Sequence, residues 1–291
     1  LMARQEGPIQ SAYVRSLTTE FINVAHEAGF QTTFYHLSYN KKAELEFLRR
    51  VPSSGVQGLA LWPYYFRPTD TDTELTEDEA RIVEGLASSG FPCVLVDRAI
   101  PGAHVDAVVN ANRETMRSLT ERVIALGYRD LVYVGRDLMD SVMQERLAGY
   151  EDALEGSGIT CDKGRTTVVG GAGYDGGRPR TALHLLEGAP PGAVVFSDDY
   201  TAYEVLQSAR EAGLATEFPV ATIDDRHVAH YDTSGWITAR QDGAAVGRRA
   251  VELLARRVLR PDSTPEHVRI PEMAPRRGGA PAAPDGETVP S

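Results

Sequence analysis

Short apolar runs alternate along this chain with segments whose apolar residues recur every three or four positions, and that alternation admits few folds. In residues 11–28, Val14, Leu17, Phe21, Val24, Ala25 and Ala28 fall on one helical face, and Gly29 stops the helix. A β-rich stretch (31–36), a charged helix (41–50) and the strand 56–62, closed by Pro63, come next. The series continues with a helix (77–88), the strand 93–97, a helix (114–126) ended by Gly127, and the strand 131–134. A second series runs helix 143–154, strand 166–169, helix 180–186, strand 193–197, helix 201–212 and strand 220–223. Further on come a short strand (237–240), a helix (244–259) with Val246, Ala250, Leu253, Leu254 and Val258 on its apolar face, and a last strand (268–270). The strands are almost continuously apolar, as expected when helices cover both faces of a parallel sheet. The expected class is α/β, with two Rossmann-like lobes, each on a parallel sheet.

Charge and composition narrow the function. There are 30 Lys and Arg against 41 Asp and Glu, a net charge of −11, so this stretch is not expected to track a phosphate backbone itself. No apolar run approaches the roughly 18 residues that cross a bilayer. The two cysteines read as one buried thiol, Cys93, and one incidental thiol, Cys161. That usage points to a reducing cytoplasm, and the first seven residues do not have the basic start, apolar stretch and cleavage site of a secretory signal. Residues 279–291, rich in Pro, Gly and Ala, are expected to be a disordered tail.

In open parallel sheets ligands bind beyond the carboxyl ends of the strands. The residues there are polar or aromatic: Trp62, Pro63, Tyr64 and Tyr65 after one strand, Asp97 and Arg98 at the end of the next, then Asp198 with Asp199, and Asp224 with Asp225. Two facing lobes would gather these ends into one cleft. Asp199 reads as the cap of the helix beginning at Thr201.

Six motifs stand in the order and spacing of one family: Val96-Asp97-Arg98, Ala125-Leu126-Gly127-Tyr128-Arg129, Arg146-Leu147-Ala148-Gly149-Tyr150, Ser197-Asp198-Asp199-Tyr200-Thr201-Ala202, Ile223-Asp224-Asp225 and Gln241-Asp242. Over residues 11–278 the chain resembles the lactose/galactose-repressor (LacI/GalR) family of transcriptional regulators. The resemblance implies a periplasmic-binding-protein type I fold: two lobes joined by three crossovers, a small effector in the cleft, and a homodimer. On that reading the N-terminal lobe comprises 1–129 with 242–264, and the C-terminal lobe 130–241 with 265–278. Operator DNA would be read through an N-terminal helix-turn-helix that these residues do not contain.

The resemblance also implies roles. Arg146 stands where the family has a cleft arginine for effector oxygens, and Asp224 where a carboxylate accepts from effector hydroxyl or amine groups. Asp198 replaces an effector-binding asparagine, so an acceptor-only carboxylate stands for an amide. Gln241 matches a crossover residue near the ligand. Ser11, Ala12 and Tyr13 fall where the first loop touches it, and Ala111-Asn112 replaces the family's Asp-Asn pair. Carboxylates, a guanidinium and an aromatic face suit the hydroxyl ring and C–H patch of a sugar. The expected effector-binding set is Tyr13, Trp62, Tyr64, Arg98, Arg146, Asp198, Asp224 and Gln241, and a neutral or amine-bearing sugar suits it better than an anion. Neither a cofactor, a metal, a membrane nor a catalytic role is expected.

Other signals are weaker. Gly171-Ala172-Gly173-Tyr174-Asp175-Gly176 has the spacing of a dinucleotide fingerprint, yet Gly177, Arg178 and Pro179 separate it from the next helix, so it reads as a loop. His227 and His230 beside Asp224 and Asp225 lack a third His or a Cys to complete a metal shell. No nucleophile elbow or phosphate loop is present. Arg256 and Arg257, like Arg276 and Arg277, read as solvated charges. The expected function is the effector-binding and dimerisation core of a bacterial regulator; an exported sugar-binding protein of a transporter, or a dinucleotide-dependent enzyme, are the alternatives.

Overall fold

The computed structural model describes residues 2–4, 12–36, 41–64, 70–136, 141–169, 180–187, 191–224 and 235–273. In chain order its elements begin β1 (Met2–Arg4), α1 (Ala12–Glu27), β2 (Phe34–His36), α2 (Lys41–Arg50), β3 (Leu59–Leu61), α3 (Asp70–Ser88), β4 (Cys93–Asp97), β5 (Asp106–Asn110) and α4 (Asn112–Ala125). They continue with β6 (Leu131–Arg136), α5 (Ser141–Gly156), β7 (Thr166–Val169), α6 (Arg180–Leu186), β8 (Ala193–Phe196), α7 (Asp199–Glu211), β9 (Val220–Ile223), β10 (Ile237–Ala239), α8 (Gly243–Leu259) and β11 (His267–Ile270). The chain divides into two compact units. One comprises Leu1–Ala111, Met139–Ser141 and Gln241–Glu272, the other Asn112–Leu138, Val142–Arg240 and Met273–Ser291.

The first unit holds a six-stranded sheet in the order β11-β5-β4-β3-β1-β2, and every pairing is parallel. Alternate residues of β4 serve opposite faces: Cys93 and Leu95 pack with Leu48, Val83 and Leu86, whereas Val94 and Val96 pack with Leu17, Phe21, Val246 and Ala250. Burial on both faces is why β4 has no polar alternation. It also pushes the Cys93 thiol up to about 12, so Cys93 is an inert core residue. Cys161 is exposed.

The second unit is built the same way, on a parallel sheet in the order β10-β9-β8-β6-β7. Leu131 and Tyr133 of β6 face Met116, Leu119, Val123 and Leu154, and Val132 and Val134 face Leu186, Val205 and Leu206.

Four expectations change. Strand β5 is not among those the apolar runs predict, because Asp106 and Asn110 interrupt its own run. The strand near 268–270 pairs with β5, Val268 opposite Val108, and so completes the first sheet rather than belonging to the second lobe. Helix α4 groups with the second unit, its Met116, Leu119 and Val123 buried against Tyr133 and Ala221. Arg256 and Arg257 are not solvated either. They donate to the two oxygens of the buried Asp106 carboxylate, each at 2.9 Å, and the Glu266 N–H adds a bond of 2.8 Å. The expected tail, 279–291, lies outside the described residues.

Helix α8 reaches α1 by giving up side chains. A Cβ on Gly243 would stand 2.4 Å from the Tyr13 carbonyl oxygen, and one on Gly247 2.3 Å from that of Leu17. Gly85 in α3 has open space around it instead. Gly85 and Gly247 each give up about 1 kcal/mol of helix propensity relative to alanine. Gly85→Ala is therefore expected to stabilise the protein by about 0.5–1 kcal/mol, and Gly247→Ala to destabilise it by about 1–3 kcal/mol through overpacking. Urea unfolding of the two variants checks the opposite signs.

Candidate functional site

Because each sheet is wholly parallel, its strands present all their carboxyl ends on one edge. In the second unit β6 and β8 are neighbours, but the chain visits β7 on the far side of β6 before it returns to β8. Parallel sheets bind ligands at such a reversal, beyond the carboxyl ends of the two strands. Arg136 ends β6 there and is half-buried. Its Nη2 donates to Asp198 Oδ1 at 3.0 Å, its Nε to Thr201 Oγ1 at 3.4 Å, and its guanidinium lies 4.8 Å from the Tyr200 ring centroid.

Asp198 comes directly after Ser197 at the end of β8 and is the cap of α7. It accepts from the Thr201 N–H at 2.8 Å and the Ser197 hydroxyl at 2.8 Å, and the Thr201 hydroxyl lies 3.0 Å from each of its oxygens. The cap expected at Asp199 is thus one residue earlier, and Asp199 is a buried residue in the first turn. Burial alone would push the Asp198 carboxyl up, but Arg136, Arg146 and these hydrogen bonds outweigh it and lower the group from its ordinary 3.8 to about 2. Both carboxylate oxygens are committed within the unit.

Arg146 projects from α5, buried to 4% exposure. Its Nε donates to Asn112 Oδ1 at 3.1 Å and its Nη1 to the Ser197 carbonyl at 2.7 Å. Nη2 has no hydrogen-bond partner among the described residues. One turn on, Gly149 lets α5 approach α4, since a Cβ there would stand 2.2 Å from the Arg113 carbonyl oxygen. Asp224 stands just past β9 with φ 64°, a left-handed conformation that aspartate tolerates, and its N–H donates to the Ala239 carbonyl at 2.7 Å. Arg136, Arg146, Asp198 and Asp224 thus all stand along one edge.

The first unit carries its own polar group at the corresponding edge. The Tyr13 hydroxyl donates to Asp97 Oδ1 at 2.5 Å, and Asn110 Nδ2 donates to the Tyr13 oxygen at 2.7 Å and to Asp97 Oδ1 at 3.0 Å. All three are buried, and Asp97 has φ 69°, the counterpart of Asp224. Tyr13 is therefore held by its hydroxyl, and its ring meets Trp62 edge-on, centroids 6.1 Å apart. Trp62 and Tyr64 are half-buried beyond β3. Arg98 Nε lies 3.6 Å from Asp97 Oδ2, and half-buried Gln241 precedes Asp242, which caps α8 by accepting from the Ala245 N–H at 2.9 Å.

The residues expected from the sequence thus fall on two edges: Tyr13, Trp62, Tyr64, Arg98 and Gln241 on the first unit, Arg146, Asp198 and Asp224 on the second. Sequence reasoning misses Arg136 and Asn110, which end strands whose last residues look like loop. The signal that would have found them is position alone, one or two residues past an apolar run. Among the described residues no group of three His, Cys, Asp or Glu side chains is placed to share a metal ion. Ser11, Tyr65, Asp225, His227, His230, Arg276, Arg277 and the Gly171 to Gly176 loop with the three residues after it lie outside the described residues.

Residues 120–278 match the family model described as periplasmic binding protein-like domain. The chain is 23% identical over 261 residues to a protein of Paenibacillus polymyxa named probable HTH-type transcriptional regulator EndR, a match covering 87% of this chain and 72% of that one. It spans about half the length of other curated relatives, 52% of the ribose operon repressor of Haemophilus influenzae among them. Its fold is similar to that of a transcriptional regulator CelR–cellobiose complex, with a TM-score of 0.74 and 21% identity over 94% of this chain and 81% of the other. It is also similar to a LacI family transcriptional regulator from Enterococcus faecium with bound ribose, at a TM-score of 0.69 and 18% identity over 96% and 98% of the two chains.

The depressed Asp198 carboxyl has a consequence in acid. A group whose folded value lies below its unfolded one contributes stability that is present above about pH 4 and is lost as pH falls through about 2. The contribution is about 2 kcal/mol. Asp198→Asn keeps a capping side chain without the charge, so its urea midpoint, monitored from pH 5 to pH 2.5, is expected to fall less steeply than that of the parent.

Proposed function

This chain belongs to the periplasmic binding protein-like domain family, and from that premise we propose that it is the effector-binding core of a transcriptional regulator whose effector is a neutral sugar. The observation that carries the reading is Arg146. A buried guanidinium is tolerated when its donors are satisfied, and two of its three nitrogens are held by Asn112 and Ser197 at the carboxyl edge of the second sheet. The third, Nη2, is left to donate to a ligand oxygen.

On the same edge of the sheet, Asp224 supplies an acceptor for a hydroxyl, held in place by its left-handed backbone and the bond to Ala239. Asp198 acts through Arg136, because its own oxygens are spent, and Arg136 is the cation it holds at the edge. On the first unit Trp62 and Tyr64 are the aromatic contacts for a sugar's C–H face, with Tyr13, Arg98 and Gln241 as their polar neighbours. The naming of relatives as regulators, and the cellobiose and ribose complexes of proteins with this fold, support the class of ligand and the absence of catalysis. A sugar bound this way shifts a conformational equilibrium only by its differential affinity for the two states, so contacts made in one state alone carry the signal. In this reading the chain works as a homodimer in the cytoplasm and passes that signal to a DNA-binding domain.

The test is a thermal-shift screen of the purified chain against cellobiose, ribose, glucose, an amino sugar, a sugar phosphate, a purine and NAD, with calorimetry on every hit. A neutral sugar is expected to raise the melting temperature by binding the folded state. Asp224→Ala is expected to weaken that sugar roughly 10- to 100-fold, the loss of one charged hydrogen bond. Stabilisation by NAD alone, or unchanged sugar affinity in Asp224→Ala, overturns the reading.

A further inference from the structure

Away from these residues, the first unit buries three charged side chains together. Lys41 opens α2, Glu44 lies one turn on, and Glu79 belongs to α3; their exposures are 3%, 0% and 1%. The Lys41 ammonium donates to Glu44 Oε1 at 2.9 Å, to a Glu79 oxygen, and to the backbone carbonyl of Tyr64 at 2.9 Å. Glu44 in turn accepts from the Tyr64 N–H at 3.2 and 3.4 Å. Two side chains of α2 therefore grip both backbone polar groups of Tyr64.

The grip is selective and costly. Leu45 and Leu48 already bury the apolar face of α2, so the helix docks without it. Desolvating an ammonium and two carboxylates is unfavourable unless the set is closed and near neutral. Burial first, then repulsion and a hydrogen bond from Glu44, raise the Glu79 carboxyl well above its usual range against the pull of Lys41. The segment held by this set is Trp62-Pro63-Tyr64 at the carboxyl end of β3. Pro63 is buried and has a fixed φ, so gripping Tyr64 also constrains Trp62, whose ring edge meets Tyr13.

We propose that Lys41 and Glu44 are positioning residues for the effector site: by clamping the Tyr64 backbone they fix where the Trp62 and Tyr64 rings stand. The proposal rests on the reading of those rings as effector contacts, but the clamp itself is measured without any effector. The chain has two tryptophans, Trp62 and Trp236, so Trp236→Phe leaves Trp62 as the sole reporter. In that background Lys41→Met is expected to shift Trp62 emission to the red and increase its quenching by acrylamide, at a temperature where far-ultraviolet circular dichroism shows a folded protein. It is also expected to weaken cellobiose or ribose, whichever stabilises the parent, about tenfold, the worth of one displaced contact. If Lys41→Met does not fold, Glu44→Gln, which keeps the volume and weakens the acceptor, carries the same test. A folded variant with Trp62 emission and quenching unchanged overturns the clamp and leaves the cluster as a tie between α2 and α3. If neither sugar binds the parent, the effector reading fails, and the emission shift alone still decides the clamp.

Discussion

The close approach of α8 to α1 is the constraint on which the first unit depends. Its sheet is assembled from segments more than 200 residues apart in sequence, and helix α8, which arrives late, covers the face that α1 has half covered. Gly243 and Gly247 bring the two backbones together at distances that a single methyl group would forbid. Because Gly243 opens α8 and Tyr13 stands in the first turn of α1, the contact also sets the two helix starts side by side at the carboxyl edge of the sheet. Tyr13 is thereby presented to Asp97 and Asn110, and Gln241 is held two residues before the helix.

The second unit solves the same problem with different residues. Gly149 lets α5 lie against the first turn of α4, and Arg146, three residues earlier, is carried to Asn112 at the start of that helix. Close packing and the edge group are thus one device in each unit. Both edges also carry an aspartate with positive φ, Asp97 and Asp224, where the chain turns sharply out of a strand. Such backbone costs of order 1–3 kcal/mol, a cost met at positions whose side chains matter.

Much of this is legible in the sequence because parallel strands covered on both faces leave apolar runs, and because the residues just beyond those runs lie on the carboxyl edge of the sheet whatever the fold's details. Strand β5 is hidden by Asp106, which looks like loop until the two arginines and the N–H it binds are known, and those come from residues some 150 positions away. Arg256 and Arg257 are hidden by the same fact, since neither residue betrays a buried partner in its own neighbourhood. The division into units is obscured for a related reason. β11 comes after α8 and a short turn, and only its register with β5 assigns it to the first sheet. Two adjacent aspartates cannot be told apart as cap and first-turn residue from sequence. Backbone geometry assigns the cap to Asp198, whose extended conformation aims its oxygens at Thr201.

The structure also changes the argument about effector charge. In sequence, two neighbouring carboxylates discourage an anion by repulsion. In the fold the negative charge of Asp198 is answered by Arg136, and Arg146 sits close enough to help hold that carboxyl ionised. The edge then carries two guanidiniums against Asp198, Asp199 and Asp224. An anion would have to compete with Asp198 for Arg136 and would meet the other carboxylates of the edge, while a cation would meet two guanidiniums there. A neutral ligand with many hydroxyls faces neither cost, since each hydroxyl donates to a carboxylate or accepts from an arginine hydrogen without adding charge. The charge of Asp198 is thus answered within the edge itself, by Arg136, a partner unseen in the sequence.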